Sequence, residues 1–232
     1  MTTSLEDRKA GDALPRGVAE KSLLKQQAYD ALKRSIQNAT FEPGTFLSER
    51  QLAAQLGMSK TPVKAALERL EAEGFVAVSP QQGIVVRDLS IHELADQFEI
   101  RLALETFVLR AMAGKLSESE AGRVVENLRW QQEAAAACDI HRAVQLDADF
   151  HALFCEYFGN QEILRVMTQL RDKIHRAISR VLEQDPERLN SSYREHRAIA
   201  EAVLEGDGER AARALKEHLN YGKQFLLSPN RR

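Results

Sequence analysis

Asp147, His151, His196 and His218 are the residues of this chain whose types and spacing could do chemistry together. Asp147 and His151 are four apart, which puts both on one face of a helix. His196 and His218 are twenty-two apart, with Asp207 at the midpoint inside a Gly206-Asp207-Gly208 turn. At about 1.5 Å rise per residue, equal arms on either side of that turn bring both imidazoles to one level of an antiparallel hairpin. A third helix can then present Asp147 and His151 opposite them. Three imidazoles and a carboxylate suit a borderline divalent cation such as zinc, nickel, manganese or iron(II). Singly, each histidine reads as a core or surface residue rather than as a ligand. Cys155, one turn after His151 on the same face, reads either as a buried apolar residue or as a soft ligand. Asp149 is expected in solvent, and His92, His141 and His175 have no partner spacing and receive no role.

For those four side chains to meet, the chain around them must be a helical bundle, and its punctuation agrees. From Ser90 onward the pattern reads helical. Ser90-x-x-Glu93, Ser117-x-x-Glu120 and Ser192-x-x-Glu195 are capping boxes, in which a hydroxyl and a carboxylate three residues on satisfy orphan backbone N–H groups. Gly114, Gly159, Asp185-Pro186 and Gly206-Asp207-Gly208 are breaks. Six helices are predicted, near 91–113, 118–137, 140–158, 161–183, 192–205 and 209–226. The first carries an apolar stripe of Leu94, Phe98, Leu102, Phe107 and Leu109. Short loops between helices favour an antiparallel all-α bundle.

The N-terminal part is organised differently. Residues 1–20 are polar, carry Gly11, Pro15 and Gly17, and show no period; they read as a flexible arm. Leu24, Ala28, Leu32 and Ile36 form one stripe of a first helix. After a Glu42-Pro43-Gly44 turn, Ser48 caps a second helix, with Gln51 at the capping-box position, that ends at Gly57. Ser59 caps a third, with Pro62 in its first turn, where a missing N–H costs nothing. Its core face is Val63, Ala66, Leu67 and Leu70, and Gly74 stops it. Phe75–Val78 and Ile84–Val86 then make a hairpin around a Ser79–Gly83 turn. That order predicts a winged helix-turn-helix over 21–88, with an all-α domain over 89–228: a mainly α protein with one small β wing.

Composition permits this division. A length of 232 residues supports two modest cores, and 28% charged with 44% hydrophobic residues is ordinary globular usage. The net charge of −2 excludes an argument for nucleic acid from the whole chain. Residues 21–87, however, hold nine Lys/Arg against six Asp/Glu, a local surplus consistent with one DNA-facing domain. Cys138 and Cys155 form no disulfide framework, which fits a reduced, cytoplasmic setting. With no apolar run long enough to span a bilayer and no leader-like N-terminus, neither a membrane helix nor a signal peptide is expected.

Residues at the start of the third helix would face the major groove. Ser59, Thr61 and backbone N–H groups can reach phosphates, while Lys60 and Lys64 can reach phosphates or guanine edges. Arg50 would lie against the DNA backbone, and the wing tip Gln81-Gln82-Gly83 could touch the neighbouring minor groove. Equally, Lys60 and Lys64 are compatible with solvated helix charges. The stretch Pro43-Gly44-x-x-Leu47-x-Glu49-x-x-Leu52-Ala53-x-x-Leu56-Gly57-x-Ser59-Lys60-Thr61-Pro62-Val63, continued by Ala66-Leu67-x-x-Leu70-x-x-Glu73-Gly74-Phe75 and Gly83, resembles the GntR family of bacterial transcription regulators over residues 24–88. The family usually has Arg at the positions of Lys60 and Lys64 and an acid at Ala65. Lysine cannot make arginine's bidentate fork to guanine, so a softer base discrimination or a different operator is implied.

Over residues 90–226, Asp147-x-x-Phe150-His151, Gly159-Asn160, Glu195-His196 and His218-Leu219 resemble the FadR C-terminal (FCD) domain with its metal-binding set complete. The six-helix count is similar to that of the shorter, VanR-like branch. Glu99-x-Arg101-x-x-Leu104-Glu105 also fits, and in the family the matching arginine often lines the effector pocket. For Arg101 the alternative is a helix ion pair with Glu105. The resemblance implies a divalent metal that holds a small organic acid in the bundle, and a homodimer that reads a palindromic operator in double-stranded DNA, as a repressor released by its effector. Two other readings stand beside it: a regulator for which the metal itself is the signal, and a metal-dependent enzyme, although no residue is placed as a general base and a DNA head would be surplus.

Overall fold

The computed structural model of the chain describes residues 16–79 and 83–227. They divide into two compact units that meet in sequence between Arg87 and Asp88.

The first unit holds three helices and a three-stranded sheet. Helix α1 (Arg16–Gln37) starts five residues inside the segment expected to be an arm; residues 1–15 lie outside the described ones. Its buried face is Ala28, Tyr29, Leu32 and Ile36, one side of a 3.6-residue repeat, whereas Leu24 at the top of the predicted stripe is exposed. That face packs on helix α3 (Lys60–Ala72), whose Val63, Ala66, Leu67 and Leu70 are all buried. Between them in sequence, and packed on α3, is helix α2 (Glu49–Leu56), closed by Gly57 in the left-handed region at φ 63°. Such backbone strains any residue with a Cβ. Ser48 and Ser59 occupy the N-cap positions in extended backbone, but neither side chain bonds to its helix, and the expected Ser48–Gln51 capping box does not form.

Strands β2 (Val76–Ser79) and β3 (Gly83–Val86) pair antiparallel as predicted. A third strand, β1 (Phe46–Leu47), joins the far side of β3, so the sheet order is β1-β3-β2. Two residues after a Pro-Gly turn are too short to show the alternation that marks a strand.

The second unit is an all-α bundle of α4 (Ile91–Met112), α5 (Glu118–Ala136), α6 (Ile140–Phe158), α7 (Gln161–Gln184), α8 (Arg188–Leu204) and α9 (Gly208–Leu227). Ser90 and Ser117 form complete capping boxes with Glu93 and Glu120. Asn160 caps α7 by accepting from two backbone N–H groups. The expected box at Ser192 is absent, because α8 begins one turn earlier, at Arg188, and Glu195 is used elsewhere. Helix α9 packs on α4 and α8, α5 on α6 and α8, and α6 on α7, around a core that includes Val108, Val124, Phe150, Ile199 and Leu215. Phe107, expected on the inner stripe of α4, is instead exposed and meets Phe158 edge to face at 5.5 Å.

One close approach sets the level of α9. A Cβ on Gly208 would stand 2.9 Å from the Cα of Arg110 on α4, so only glycine lets the two backbones meet there. Asp207, the midpoint of the turn, accepts from the Arg210 N–H and caps α9.

Candidate metal centre and nucleic-acid interface

The four residues singled out by spacing converge inside the second unit. Asp147 and His151 come from α6, His196 from α8 and His218 from α9, and one donor atom from each lies within 4.8 Å of the others. The three histidines are buried and Asp147 nearly so. His196 Nε2 stands 3.2 Å from His218 Nε2 and 3.6 Å from Asp147 Oδ1. Donor atoms each about 2 Å from one ion are separated by about 3–4 Å, so this spacing is that of a coordination shell.

The protonation of each ring follows from its outer partner. His218 Nδ1 is 2.7 Å from Glu195 Oε2 and His151 Nδ1 is 2.6 Å from Glu105 Oε2. Burial works to raise both carboxyls. For Glu105 the charges of Arg101 and His151 outweigh it, and for Glu195 the bonds to His218 and Arg188 do, so each is held at about 2. Ionised carboxylates only accept, so both histidines donate through Nδ1. The His196 tautomer is fixed through a longer relay. The Leu146 carbonyl can only accept, so the Asn127 amide donates to it at 3.2 Å. The Asn127 oxygen therefore accepts from Gln131 Nε2 at 2.7 Å, which leaves Gln131 Oε1 to accept from His196 Nδ1 at 2.8 Å.

In the neutral ring, a histidine that donates through Nδ1 keeps its Nε2 lone pair for the centre. The His151 Nε2 atom is buried without a hydrogen-bond partner. Two imidazole lone pairs 3.2 Å apart beside a carboxylate repel or waste one another unless a cation sits between them. Protonation is a poor remedy, since burial and the charges of His218 and His151 hold His196 well below the ordinary imidazole value. Burial also lowers His218, against the pull of Glu195. The donor set therefore fits a divalent metal, with Glu105, Gln131 and Glu195 orienting the ligands from outside.

None of these outer residues was read as functional from sequence. The sequence offers Glu195 as a cap and as part of the Glu195-His196 pair, and Glu105 as the helix partner of Arg101 and the end of the Glu99-x-Arg101-x-x-Leu104-Glu105 pattern, but gives neither a role in orienting a histidine. A usable signal existed for two of the others: the buried stripe Val124, Asn127, Leu128, Gln131, Ala134 and Ala135 has two amides where apolar residues are the rule. Arg188, 5% exposed, closes on Glu195 through both terminal nitrogens at 2.7 and 2.6 Å and so holds the orienting carboxylate.

Arg101 forms the helix ion pair, its Nε donating to Glu105 at 2.7 Å, and its side chain also lines a cleft together with Asp147 and His218. A second cleft is lined by His151 and also by Arg101 and Asp147. Cys155 lies outside the converging set; buried at 1% exposure, its thiol is pushed up to about 12 by burial first and by Glu105 second, and it packs in the core. Asp149 accepts from Gln145 and faces Arg171, away from the centre.

In the first unit, Arg50, Ser59, Lys60, Thr61, Lys64 and Gly83 are all exposed. The side chain of Ser59, unused as a cap, and those of Lys60 and Thr61 project from the start of α3, opposite its buried stripe. Lys64 is 3.9 Å from Glu68, a loose surface pair. Gly83, at φ 85°, supplies the left-handed turn into β3. Gln82 lies outside the described residues. The head is locked internally by Tyr29, whose hydroxyl donates to Glu73 at 2.6 Å while the Arg69 guanidinium sits 3.6 Å above its ring.

Comparison with known proteins places these two units. Residues 24–86 match the model of the bacterial regulatory proteins of the gntR family, and residues 96–221 match the FCD domain. The HTH-type transcriptional repressor RspR of Escherichia coli strain K12 is 30% identical over 84% of this chain and 85% of its own. The HTH-type regulator YdhC of Bacillus subtilis is 27% identical over 86% and 89%, and the repressor NanR of Cronobacter sakazakii 27% over 91% and 90%. In fold, the chain is similar to E. coli McbR/YncC, with a TM-score of 0.77 at 24% identity over 88% and 96% of the two chains. A protein of Rhodococcus sp. RHA1 gives 0.78 at 22% over 89% and 99%. Among the described residues no helix is long and apolar enough to cross a membrane. The relatives are regulators and not enzymes, which removes the catalytic reading of the centre. The chain belongs to the GntR family of DNA-binding transcriptional regulators, in the FadR subfamily whose C-terminal half is an FCD domain.

Proposed function

We propose that this regulator is a cytoplasmic, homodimeric repressor whose grip on a palindromic operator is loosened by a small carboxylate bound beside a divalent metal in the helical unit. The observation that carries this reading is the convergence of Asp147, His151, His196 and His218 beside a cleft that Arg101 also lines. When bound, the metal supplies a Lewis-acidic centre with coordination positions to spare for a carboxylate oxygen. The chain's own part is to keep three imidazoles in one tautomer, to exclude bulk water, and to offer the Arg101 guanidinium to a bound anion. Zinc, nickel, manganese and iron(II) all suit three nitrogens and an oxygen, and availability decides among them.

In the head, Ser59, Lys60, Thr61 and Lys64 at the start of α3 are the proposed groove contacts, with Arg50 on the DNA backbone and Gln82 and Gly83 at the wing. Two heads related by a twofold axis match a palindrome. The relatives RspR and NanR are transcriptional repressors, which supports that sign, and the six helices α4–α9 support the VanR-like branch. The full outer shell favours a resident ion over a metal signal, because a sensor must release its ion on demand.

The test is operator binding by gel shift, at fixed free metal, against a panel of carboxylates, with and without prior chelation. The expected result is a complex that at least one carboxylate weakens when the protein is metal-loaded and not when it is stripped. If free metal alone, with no organic acid, switched the complex over a narrow range, the metal would be the signal and this reading would fail.

A further inference from the structure

The cleft beside Arg101 is lined by two unlike sets of residues, and they restrict what can fill it; the inference rests on the proposed carboxylate site. Among the described residues that line it, the polar groups are Arg101, Gln131, Asp147, Arg188, Ser192 and His218. Most of these are already engaged. Gln131 is held at both ends, by His196 and Asn127. The Arg188 fork is closed on Glu195. Asp147 and His218 belong to the converging donor set, and Arg101 commits its Nε to Glu105. Among the described residues, what remains for a ligand is the rest of the Arg101 guanidinium, the donor set where a metal would sit, and one hydroxyl, that of Ser192.

Among the described residues the rest of the lining is hydrocarbon, chiefly Phe98 on α4, Ile178, Val181 and Leu182 on α7, Leu189 on α8 and Leu226 on α9. A sugar acid, a hydroxy di-acid or a tricarboxylate placed there would give up the hydration of several polar groups and find almost no partners. We infer that the effector class of this regulator is a monocarboxylic acid with a single apolar body, aryl or short-chain alkyl, its carboxylate at the metal and Arg101 and its hydrocarbon against the α7–α9 wall.

The experiment is calorimetric titration of the metal-loaded full-length protein with acetate, propanoate, butanoate, hexanoate and phenylacetate, set against succinate, tartrate, gluconate and citrate. Each added methylene is expected to tighten binding about fourfold until the chamber is full. The hydroxylated and multiply charged acids should bind at least about tenfold more weakly than hexanoate or phenylacetate. A flat alkyl series, or tighter binding by tartrate, gluconate, citrate or succinate, would overturn the assignment while leaving a carboxylate-responsive repressor intact. If none of the nine acids binds, the proposed function itself fails. Ile178→Phe narrows the chamber and should end the gain at a shorter chain; Leu226→Asn, on a half-buried position, should lower the gain per methylene. Metal stoichiometry measured on both variants verifies that the donor set survives, and an unchanged alkyl series in both would refute this chamber as the site.

Discussion

The two units use their polar residues in opposite ways. In the head, Arg50, Ser59, Lys60, Thr61 and Lys64 are exposed, and the role proposed for them is to meet a partner whose geometry comes from outside. In the helical unit, His151, His196, His218, Arg101 and Glu105 are all buried, and each is fixed by at least one further side chain. The first arrangement tolerates exchange of one side chain for another of similar reach. The second does not, because each buried polar group left unpaired costs about 1–3 kcal/mol. The difference predicts where substitutions are absorbed and where they propagate.

The largest effect is expected at the centre. An ion present at about 100 times its Kd stabilises the folded state by about 2.7 kcal/mol, which for a chain of this size is a shift of about 5–10 °C. Chelation should lower the melting temperature by that amount, and readdition should restore it. His196→Ala should abolish the difference and bring bound metal, measured by elemental analysis, close to zero. A metal-independent melting curve for the unaltered protein would break the contrast between the units outright.

One step further out, Gln131→Leu removes the acceptor that sets the His196 tautomer while adding no charge. Loss of an outer-shell partner typically weakens metal binding by about 10–100-fold, and competition with a fluorescent chelator would measure it. An affinity unchanged within a factor of two would mean that the Asn127–Gln131–His196 relay positions nothing.

That relay also shows what could be read without coordinates. The head was legible nearly whole, because its helix caps, glycines and core stripe lie within one continuous run from Pro43 to Gly83. Strand β1 escaped because two residues carry no period. The convergence of Asp147, His151, His196 and His218 was legible because an i, i+4 pair and a symmetric turn convert sequence spacing into level and face. Their outer shell was not: Glu105, Gln131 and Glu195 come from three helices and meet the ligands only through tertiary packing. Ser192-x-x-Glu195 misled because the cap pattern is local, whereas Arg188 and His218 claim Glu195 from a preceding turn and another helix.

A smaller effect tests the scaffold beneath the centre. Gly208→Ala would force a Cβ to within 2.9 Å of the Arg110 Cα, so α9 must move away from α4 or the chain must strain. Overpacking of this kind costs about 1–3 kcal/mol, and denaturant unfolding should report it. Because α9 carries His218, metal affinity should fall along with stability. Lost stability with unaltered metal affinity would show that the centre is insulated from the α4–α9 contact.

The smallest expected effect is in the head. If Lys60 meets a phosphate, Lys60→Ala should weaken binding to all sequences alike and reduce the slope of log Kobs against log salt by about one. Lys60→Arg should leave that slope unchanged, since the charge is kept. If Lys60 instead reads a guanine edge, Lys60→Arg would add a bidentate fork worth about 1–3 kcal/mol of discrimination against the wrong base. Fluorescence anisotropy on operator and single-base variants at several salt concentrations separates the two. Specificity that sharpens with an unchanged slope places Lys60 over a base, whereas a uniform loss in Lys60→Ala with unchanged preferences in Lys60→Arg places it on the backbone. If neither variant changed affinity, slope or preference, Lys60 would be a solvated charge, and the reading of the start of α3 as the recognition surface would lose its central residue.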